Sequence, residues 1–280
     1  MHLTFETFIK LFSVSAIRYF VIAGIPFLLV YKILTTWFSR SKIQKREADT
    51  KDFKREILHS MQTTAVLVIV GYIALFTPFK DHSQIYTDIY TYPIWWIGVS
   101  LVLSLIIHDT YFYWMHRLLH HKKLFKLTHL VHHQSTNPSP WASYSFHFIE
   151  AWTEGAVLFV IALLIPVHPL TIILFTIVGF MINVYGHLGY EVAPRWFRHT
   201  ILFELLNTSV HHNLHHSKFK GNYGLYFRVW DRVMGTEHPD YVKDYDRVQQ
   251  NRFGHKTGID TTTVSGAIKQ GTGHAASSTT

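Results

Sequence analysis

The sequence contains no cysteine among its 280 residues. This absence excludes disulfide bonds, thiolate metal sites, iron–sulfur clusters and cysteine nucleophiles. Any metal ion that the protein binds must therefore be held by nitrogen and oxygen ligands.

Charged residues are also scarce. They make up 16% of the chain and hydrophobic residues 48%, whereas an average soluble domain has about 25% charged residues. This balance predicts a membrane protein. The formal net charge is +8, and the basic residues lie mostly beside apolar runs, which favours anionic lipid head groups as their partner. No nucleic-acid recognition motif occurs, so we expect no nucleic-acid partner.

Several common enzyme signatures are missing too. The sequence has no Walker loop, no Rossmann fingerprint, no Gly-x-Ser-x-Gly elbow and no His-Glu-x-x-His zinc motif. We therefore expect that this chain binds no nucleotide cofactor and carries no fused haem or flavin domain.

Five apolar runs come near the roughly 20 residues that a spanning helix needs. They cover residues 16–38, 61–79, 94–107, 152–167 and 170–186. The first run is interrupted by Arg18 and Lys32 and lacks a cleavage site, so we interpret it as a retained anchor. The last two are short, and the prolines between them predict a helical hairpin that either dips into the membrane or crosses it. Since no strand pattern of useful length occurs, the expected fold is an all-α polytopic membrane bundle with a histidine-rich helical cap.

The charge of the loops predicts the orientation. Residues 39–56 hold seven lysines and arginines, whereas residues 80–92 hold one lysine and two aspartates. The first segment is therefore expected in the cytoplasm and the second on the opposite side. Five crossings then place all the histidine clusters on the cytoplasmic side and the N-terminus outside, although the first run could instead lie flat in the interface.

Eleven of the 21 histidines lie in two windows, residues 108–133 and 211–216. Residues i, i+3 and i+4 share one face of a helix, so each cluster is predicted to aim its imidazoles at one point. The three clusters are His116 and His120; His129, His132 and His133; and His212, His215 and His216. Imidazole suits Fe, Zn, Cu and Ni, and eight such ligands exceed what one metal normally takes. One cluster alone could be an ordinary polar helix face, but three together predict a site for two transition-metal ions.

Further candidates lie close to these clusters in the sequence. His187 ends the last apolar run and is a ninth candidate ligand. His108 is either an extra ligand or a hydrogen-bonded neighbour, and Asp109 could orient a ligand imidazole from behind.

Two more histidines are ambiguous. His211 competes with its neighbours as a ligand because it lies four residues before His215. His147, together with Glu150, opens the predicted hairpin near the site. His147 and Glu150 either have a structural role or border the substrate path.

The chain resembles the fatty acid hydroxylase/sterol desaturase superfamily of membrane enzymes over residues 95–240. Its first histidine box is similar to His108-Asp109-x3-Tyr113-Trp114-x-His116-Arg117-x2-His120-His121, and its second to His129-x2-His132-His133. The third is similar to His212-x2-His215-His216, followed by Gly221-Asn222-Tyr223-Gly224 and Trp230-Asp231-Arg232-x2-Gly235-Thr236. His187, in Gly186-His187-x-Gly189-Tyr190, resembles a further histidine of the family. The likeness adds Asp231 as a candidate ligand or neighbour of a ligand.

The resemblance implies two non-haem iron ions that activate dioxygen and hydroxylate or desaturate a lipid. Members of the family act on sterols, fatty acyl chains and related lipids. Their electrons come from an external donor of the cytochrome b5 or ferredoxin type, supplied by a reductase. The membrane is expected to be a bacterial inner membrane or the endoplasmic reticulum.

We expect three regions in the chain. Residues 1–92 are predicted to be N-terminal anchor helices and loops, residues 93–250 the catalytic membrane domain, and residues 251–280 a disordered tail. Two other functions explain the histidines less well. A zinc handler or transporter does not explain why they gather on one side, and a di-haem electron carrier needs histidine pairs within two spanning helices.

Overall fold

The structure is a computed structural model that describes residues 3–46 and 48–254. Within these ranges the protein is all-helical, and only isolated β-bridges occur. The predicted fold class is confirmed. The predicted tail lies almost entirely outside the described residues.

The α-helices are, in chain order, α1 (Phe5–Leu28, continued by a π-helical turn Leu29–Ile33), α2 (Thr35–Phe38), α3 (Thr50–Phe76), α4 (Trp96–Leu119), α5 (Phe125–Thr128), α6 (Leu130–His133), α7 (Phe148–Gly155), α8 (Val157–Leu164), α9 (Pro169–Gly186), α10 (Ile201–Leu205), α11 (Ser209–Lys218), α12 (Val229–Val233) and α13 (Tyr241–Phe253). Short 3₁₀ turns cover Ser39–Ser41, Pro78–His82, Pro140–Tyr144 and Arg195–His199.

Four helices of the described chain are long and apolar enough to cross a membrane. They are Phe5–Ile33, Thr50–Phe76, Trp96–Leu119 and Pro169–Gly186. The first three extend well beyond the apolar runs seen in the sequence, because a helix continues through polar residues once its ends are capped. At the start of α3, for example, the Asp49 carboxylate accepts hydrogen bonds from the Lys51 and Asp52 backbone amides.

The prediction of one continuous helix over residues 152–167 is wrong. The chain there forms the two short helices α7 and α8, which meet at Gly155 and Ala156. The backbone of Gly155 packs so closely against Val70 and Leu67 of α3 that a side chain would collide with them. Together, α7 and α8 still carry the chain from the histidine-rich end of the bundle to the opposite end, where Val167 pairs with Ile85.

The histidine-rich end is joined to the loop after α2. Lys42 pairs with Tyr190 in a β-bridge, and the Gln44 amide donates to the Thr136 carbonyl and to Asn213. This loop belongs to the basic segment 39–56, so that segment and the histidine clusters lie at the same end of the bundle.

The N-terminal helices enclose the region that carries the histidines. One apolar cluster joins Tyr19 and Ala23 of α1 to Phe180 and Val184 of α9. Another cluster joins Val66 and Val70 of α3 to Phe146 and Ala151, just before and within α7. Residues 1–92 therefore contribute to the wall around the site as well as to the membrane anchor.

Replacing Gly155 by valine should destabilise the protein by about 1–3 kcal/mol, because the side chain would be forced against Val70 and Leu67. Gly98→Val is the matched control, since a Cβ at Gly98 meets nothing within 4 Å. Thermal unfolding in detergent measures both effects. Equal losses in the two variants would argue against close α3–α7 packing.

Candidate metal centre

Nine histidines converge in two adjacent groups at one end of the bundle. The first group contains His116, His120, His129, His133 and His215, and the second contains His132, His187, His212 and His216. Within each group the ligand nitrogens all lie within 4.8 Å of one another. These are the nine residues that the sequence offered as ligands, and no other histidine of the described chain joins them.

The boxes contribute to the groups differently from what was expected. The prediction that all the imidazoles of one box point to the same place is wrong for the second and third boxes. Each of these two boxes contributes histidines to both groups. The reason is helical geometry: residues i and i+4 are offset by only about 40° around the axis, whereas residue i+3 lies about 100° from residue i+4. His212 and His216 therefore stay together, and His215 points to the other group. His129 and His133 likewise share one group while His132 enters the other.

Eight of the nine rings are buried, and His120 is half-buried. Burial disfavours the charged imidazolium, so it lowers the pKa of His187 and of His215 to about 4. Burial and the neighbouring imidazoles together lower the pKa of His129 and His212 well below the ordinary range. At neutral pH these rings are therefore uncharged, the form that binds a metal ion.

The orientation of four rings is fixed by a hydrogen bond at Nδ1. His116 Nδ1 lies 2.9 Å from the Tyr223 carbonyl oxygen, His187 Nδ1 2.8 Å from the Asn183 carbonyl, and His215 Nδ1 2.7 Å from the Gly221 carbonyl. A carbonyl oxygen can only accept, so Nδ1 carries the hydrogen and the lone pair is left on Nε2. The fourth ring is that of His129, whose Nδ1 lies 2.6 Å from Glu150 Oε1.

The Nε2 atoms face one another at short range. His116 Nε2 lies 2.9 Å from His129 Nε2, and His212 Nε2 lies 3.0 Å from His187 Nε2. When Glu150 is ionised, both atoms of the first pair carry lone pairs and neither can donate, so the contact is repulsive unless a cation lies between them. Two ligands at right angles, each about 2.1 Å from one metal, would be about 3.0 Å apart. The donor set and its spacing therefore fit transition-metal ions.

Glu150 is a site residue whose role the sequence left open. It is the third residue of α7, and its Oε1 accepts the Nδ1 hydrogen of His129. Both side chains are buried. A carboxylate behind a ligand imidazole fixes the ring and makes Nε2 a better donor to a metal. His147, three residues earlier, caps α7 through its Nδ1, which accepts from the Ile149 amide, and it joins neither group.

Two aspartates hold the loop that orients the rings. Asp231 accepts hydrogen bonds from the Tyr223 and Gly224 amides at 2.9 and 2.7 Å. This fixes the Tyr223 carbonyl, the acceptor for His116. Asp109, expected to orient an imidazole directly, instead accepts from three successive backbone amides of residues 225–227. Both carboxylates thus act on the centre through the backbone.

The same loop depends on a glycine. Gly221 has a φ of +79°, and a Cβ there would lie 2.5 Å from the Thr236 carbonyl oxygen. Only glycine adopts this conformation without strain in so little space. Its carbonyl is the acceptor for His215 Nδ1, so the Gly-Asn-Tyr-Gly motif supports the first group directly.

Two other candidate ligands lie outside both groups. His108 Nδ1 is 2.8 Å from the Tyr226 hydroxyl, and its Nε2 is 3.9 Å from Glu154. The His211 ring stands edge-on against Tyr241, and both of its nitrogens are buried without a hydrogen-bond partner among the described residues.

A buried acid from α3 supports the second box, and nothing in the sequence pattern singled it out. Glu56 Oε1 accepts from the Ser135 hydroxyl at 2.7 Å, and its Oε2 accepts from Ser139. Both serines lie in the segment that directly follows His133. Glu56 therefore ties α3 to the loop that leaves the metal-binding helix.

Comparison with known proteins places this geometry in a family. The profile of the fatty acid hydroxylase family matches residues 101–236, which include all nine histidines. Lathosterol oxidase of Mus musculus is 28% identical over 249 residues, 85% of this chain and 79% of the relative. Delta(7)-sterol 5(6)-desaturase ERG3B of Gibberella zeae is 29% identical over 205 residues, 71% of this chain and 62% of the relative. A cholesterol 25-hydroxylase-like protein of Danio rerio is 37% identical over 143 residues, 50% and 55% of the two chains.

No solved structure matches the chain significantly. The family profile, the relatives and the histidine boxes agree on one class of protein, the membrane-bound oxidoreductases of lipid metabolism. A fatty acid hydroxylase domain covers residues 101–236, and the relatives support a place in the fatty acid hydroxylase/sterol desaturase superfamily. It is a membrane-bound lipid hydroxylase or desaturase, and metal transport without redox chemistry is not favoured.

Replacing Glu150 by alanine should weaken metal binding at the first group about 10- to 100-fold, because His129 loses the carboxylate that orients it. Titration of the metal-free protein with Fe(II) under anaerobic conditions measures this. Glu6→Ala is the control, since Glu6 is exposed and forms an ion pair with Lys10 of the same helix. An affinity in the Glu150 variant equal to that of the control would show that the carboxylate is dispensable.

The metal-free protein should lose stability as the pH falls from about 6.5 to about 4. Unfolded histidines take up protons near pH 6.5, whereas His187 and His215 in the folded protein do so only near pH 4. The unfolded state therefore binds more protons in this window, and the free energy of unfolding decreases as the pH falls. A midpoint of thermal unfolding that stays constant or rises between pH 6.5 and 4.5 would exclude this linkage.

Proposed function

We propose that the two histidine groups hold two iron ions, one in each group. The observation that carries this proposal is the facing of lone-pair nitrogens across distances that suit metal ligands. Iron is preferred over zinc because the five nitrogens of the first group exceed the four ligands usual for zinc. The relatives are also named as an oxidase, a desaturase and a hydroxylase, and zinc has no redox chemistry. When bound, the iron would supply the activation of dioxygen for cleavage of a lipid C–H bond.

A cavity beside the histidine groups is the proposed lipid site. It has a volume of about 310 Å³, within the usual range for small-molecule pockets. Its walls are mostly apolar and come from α3, α8 and α9 as well as α4, among them Leu67, Leu158, Ile172 and Phe175. The role of these side chains is to hold the hydrocarbon and exclude water.

The inner end of the cavity is one side chain away from both histidine groups. Phe112 lines it, and the centroid of its ring is 4.8 Å from that of the His116 ring. Phe146 also lines it, 5.1 Å from the ring of His132. A C–H bond at this end would therefore lie beside the ligands of both ions.

The natural lipid is proposed to be a sterol, a fatty acyl chain or a related lipid. The sterol enzymes among the relatives support the first class. The electrons must come from outside, because the chain has no nucleotide-binding motif. We propose an external donor of the cytochrome b5 or ferredoxin type with its reductase.

The histidine end is proposed to face the cytoplasm. This orientation is supported by the basic segment 39–56, which packs against the same end through Gln44. A bacterial inner membrane and the endoplasmic reticulum both agree with it. Within the chain, residues 93–250 would supply every metal ligand, residues 1–92 the anchor and part of the cavity wall, and residues 251–280 no chemistry.

His132→Ala should abolish oxygen-dependent product formation and lower the iron content of the purified protein below two ions per chain. The control is His121→Ala, because His121 is exposed and belongs to neither group. Iron is measured by elemental analysis. Product is measured as a mass gain of sixteen units for hydroxylation or a loss of two for desaturation, in lipids of cells with and without the protein. Full activity in iron-free protein would refute the proposal.

A further inference from the structure

A half-buried arginine lines the cavity from about the middle of α1. Arg18 Nη1 donates to the Thr176 hydroxyl of α9 at 2.7 Å, so the guanidinium is held against α9 at the cavity wall. Its Nε is buried without a hydrogen-bond partner, and no carboxylate of the described residues forms an ion pair with it. The nearby cavity acid, Glu154, has His108 as its neighbour.

A charge at this depth is costly. Arginine keeps its proton under all ordinary conditions, and a charged side chain at the centre of a membrane costs about 2.5–3.5 kcal/mol on insertion scales. Such residues are normally paired or face a functional cavity. Arg18 has no anionic partner within residues 3–46 and 48–254, but it does line the apolar cavity, together with Ser15 and Thr176.

The same cavity connects Arg18 to the histidine groups. At its other end lies Asn183, whose carbonyl accepts the Nδ1 hydrogen of His187. Thr176, the partner of Arg18, precedes His187 along α9 by about 16 Å at 1.5 Å per residue. The cavity thus has a guanidinium beside Thr176, about three turns of α9 before His187, and mostly apolar walls that also include Glu154.

We propose that Arg18 binds the carboxylate of the substrate, and that the cavity is built for a long-chain carboxylic acid. A guanidinium offers donors in a fork that matches a carboxylate, and an anion also compensates its charge. A sterol hydroxyl or an ester carbonyl could accept one hydrogen bond but would leave the charge unpaired. The acid would be oxidised at a carbon remote from its carboxylate, a consequence that rests on the proposed function.

Binding of three lipids that differ only in the head group tests the proposal. Palmitic acid, hexadecanol and methyl palmitate are compared by displacement of a fluorescent long-chain lipid from the metal-free protein in detergent. The acid is expected to bind at least about tenfold more tightly than the other two. Equal affinity for all three would overturn the assignment. Cholesterol is measured in the same displacement assay, and tighter binding of cholesterol than of the acid would overturn it too.

Variants locate the effect at Arg18. Arg18→Gln should remove the preference for the acid and leave hexadecanol binding unchanged, and Arg18→Lys should retain part of it. The matched control is Lys10→Gln, which removes an exposed charge from the same helix. Equal weakening of all three lipids by Arg18→Gln would mean that Arg18 only maintains the fold. If that variant fails to fold, Thr176→Val, which keeps the charge but removes its hydrogen-bond acceptor, should still reduce the preference.

The binding result is independent of catalysis. The His132→Ala protein should keep the preference for the acid even though it forms no product. If the protein forms no oxidised product, the binding test of Arg18 remains valid. If it oxidises lipids without a preference for the acid head group, only the role proposed for Arg18 is refuted.

Discussion

The structure depends on one unfavourable contact that a cation would reverse. Buried Nε2 atoms face one another at 2.9–3.3 Å, and in the pair of His116 and His129 both carry lone pairs when Glu150 is ionised. In an apolar interior such contacts are repulsive, and water has no room to separate them. The same atoms would become ligands if positive ions lay between them, so the local fold would favour metal binding.

The remaining polar residues of the site orient the histidine rings or the backbone that holds them. Glu150 holds the back of His129 directly, whereas Asp231 fixes a backbone carbonyl that in turn holds His116. Asp109 acts further away, on the backbone amides that follow Tyr223 and Gly224. Buried carboxylates around a histidine cluster are thus explained by ring orientation, without a direct role as ligands.

The sequence was sufficient for the helical membrane fold and for the set of histidines that come together, because both follow from local periodicity. The division of the second and third boxes between two groups could also have been derived, since it needs only the rotation of about 100° per residue. Other features depend on how distant elements dock. The partnership of Glu150 with His129 requires α7 to pack beside α6, and the break at Gly155 requires the approach of Val70. In the sequence, Arg18 only interrupts the apolar run of the predicted anchor. Its hydrogen bond to Thr176 depends on the packing of α1 against α9.

Cavity wall and ligands share the same rigid helices. Phe112 and His116 are one turn apart on α4, and Asn183 and His187 are one turn apart at the end of α9. The distance from the cavity wall to the histidine groups is therefore set by helical register. With the lipid in the proposed cavity, regioselectivity would follow from helix length and side-chain size along α4 and α9, and it should evolve by substitutions there more readily than by changes in surface loops.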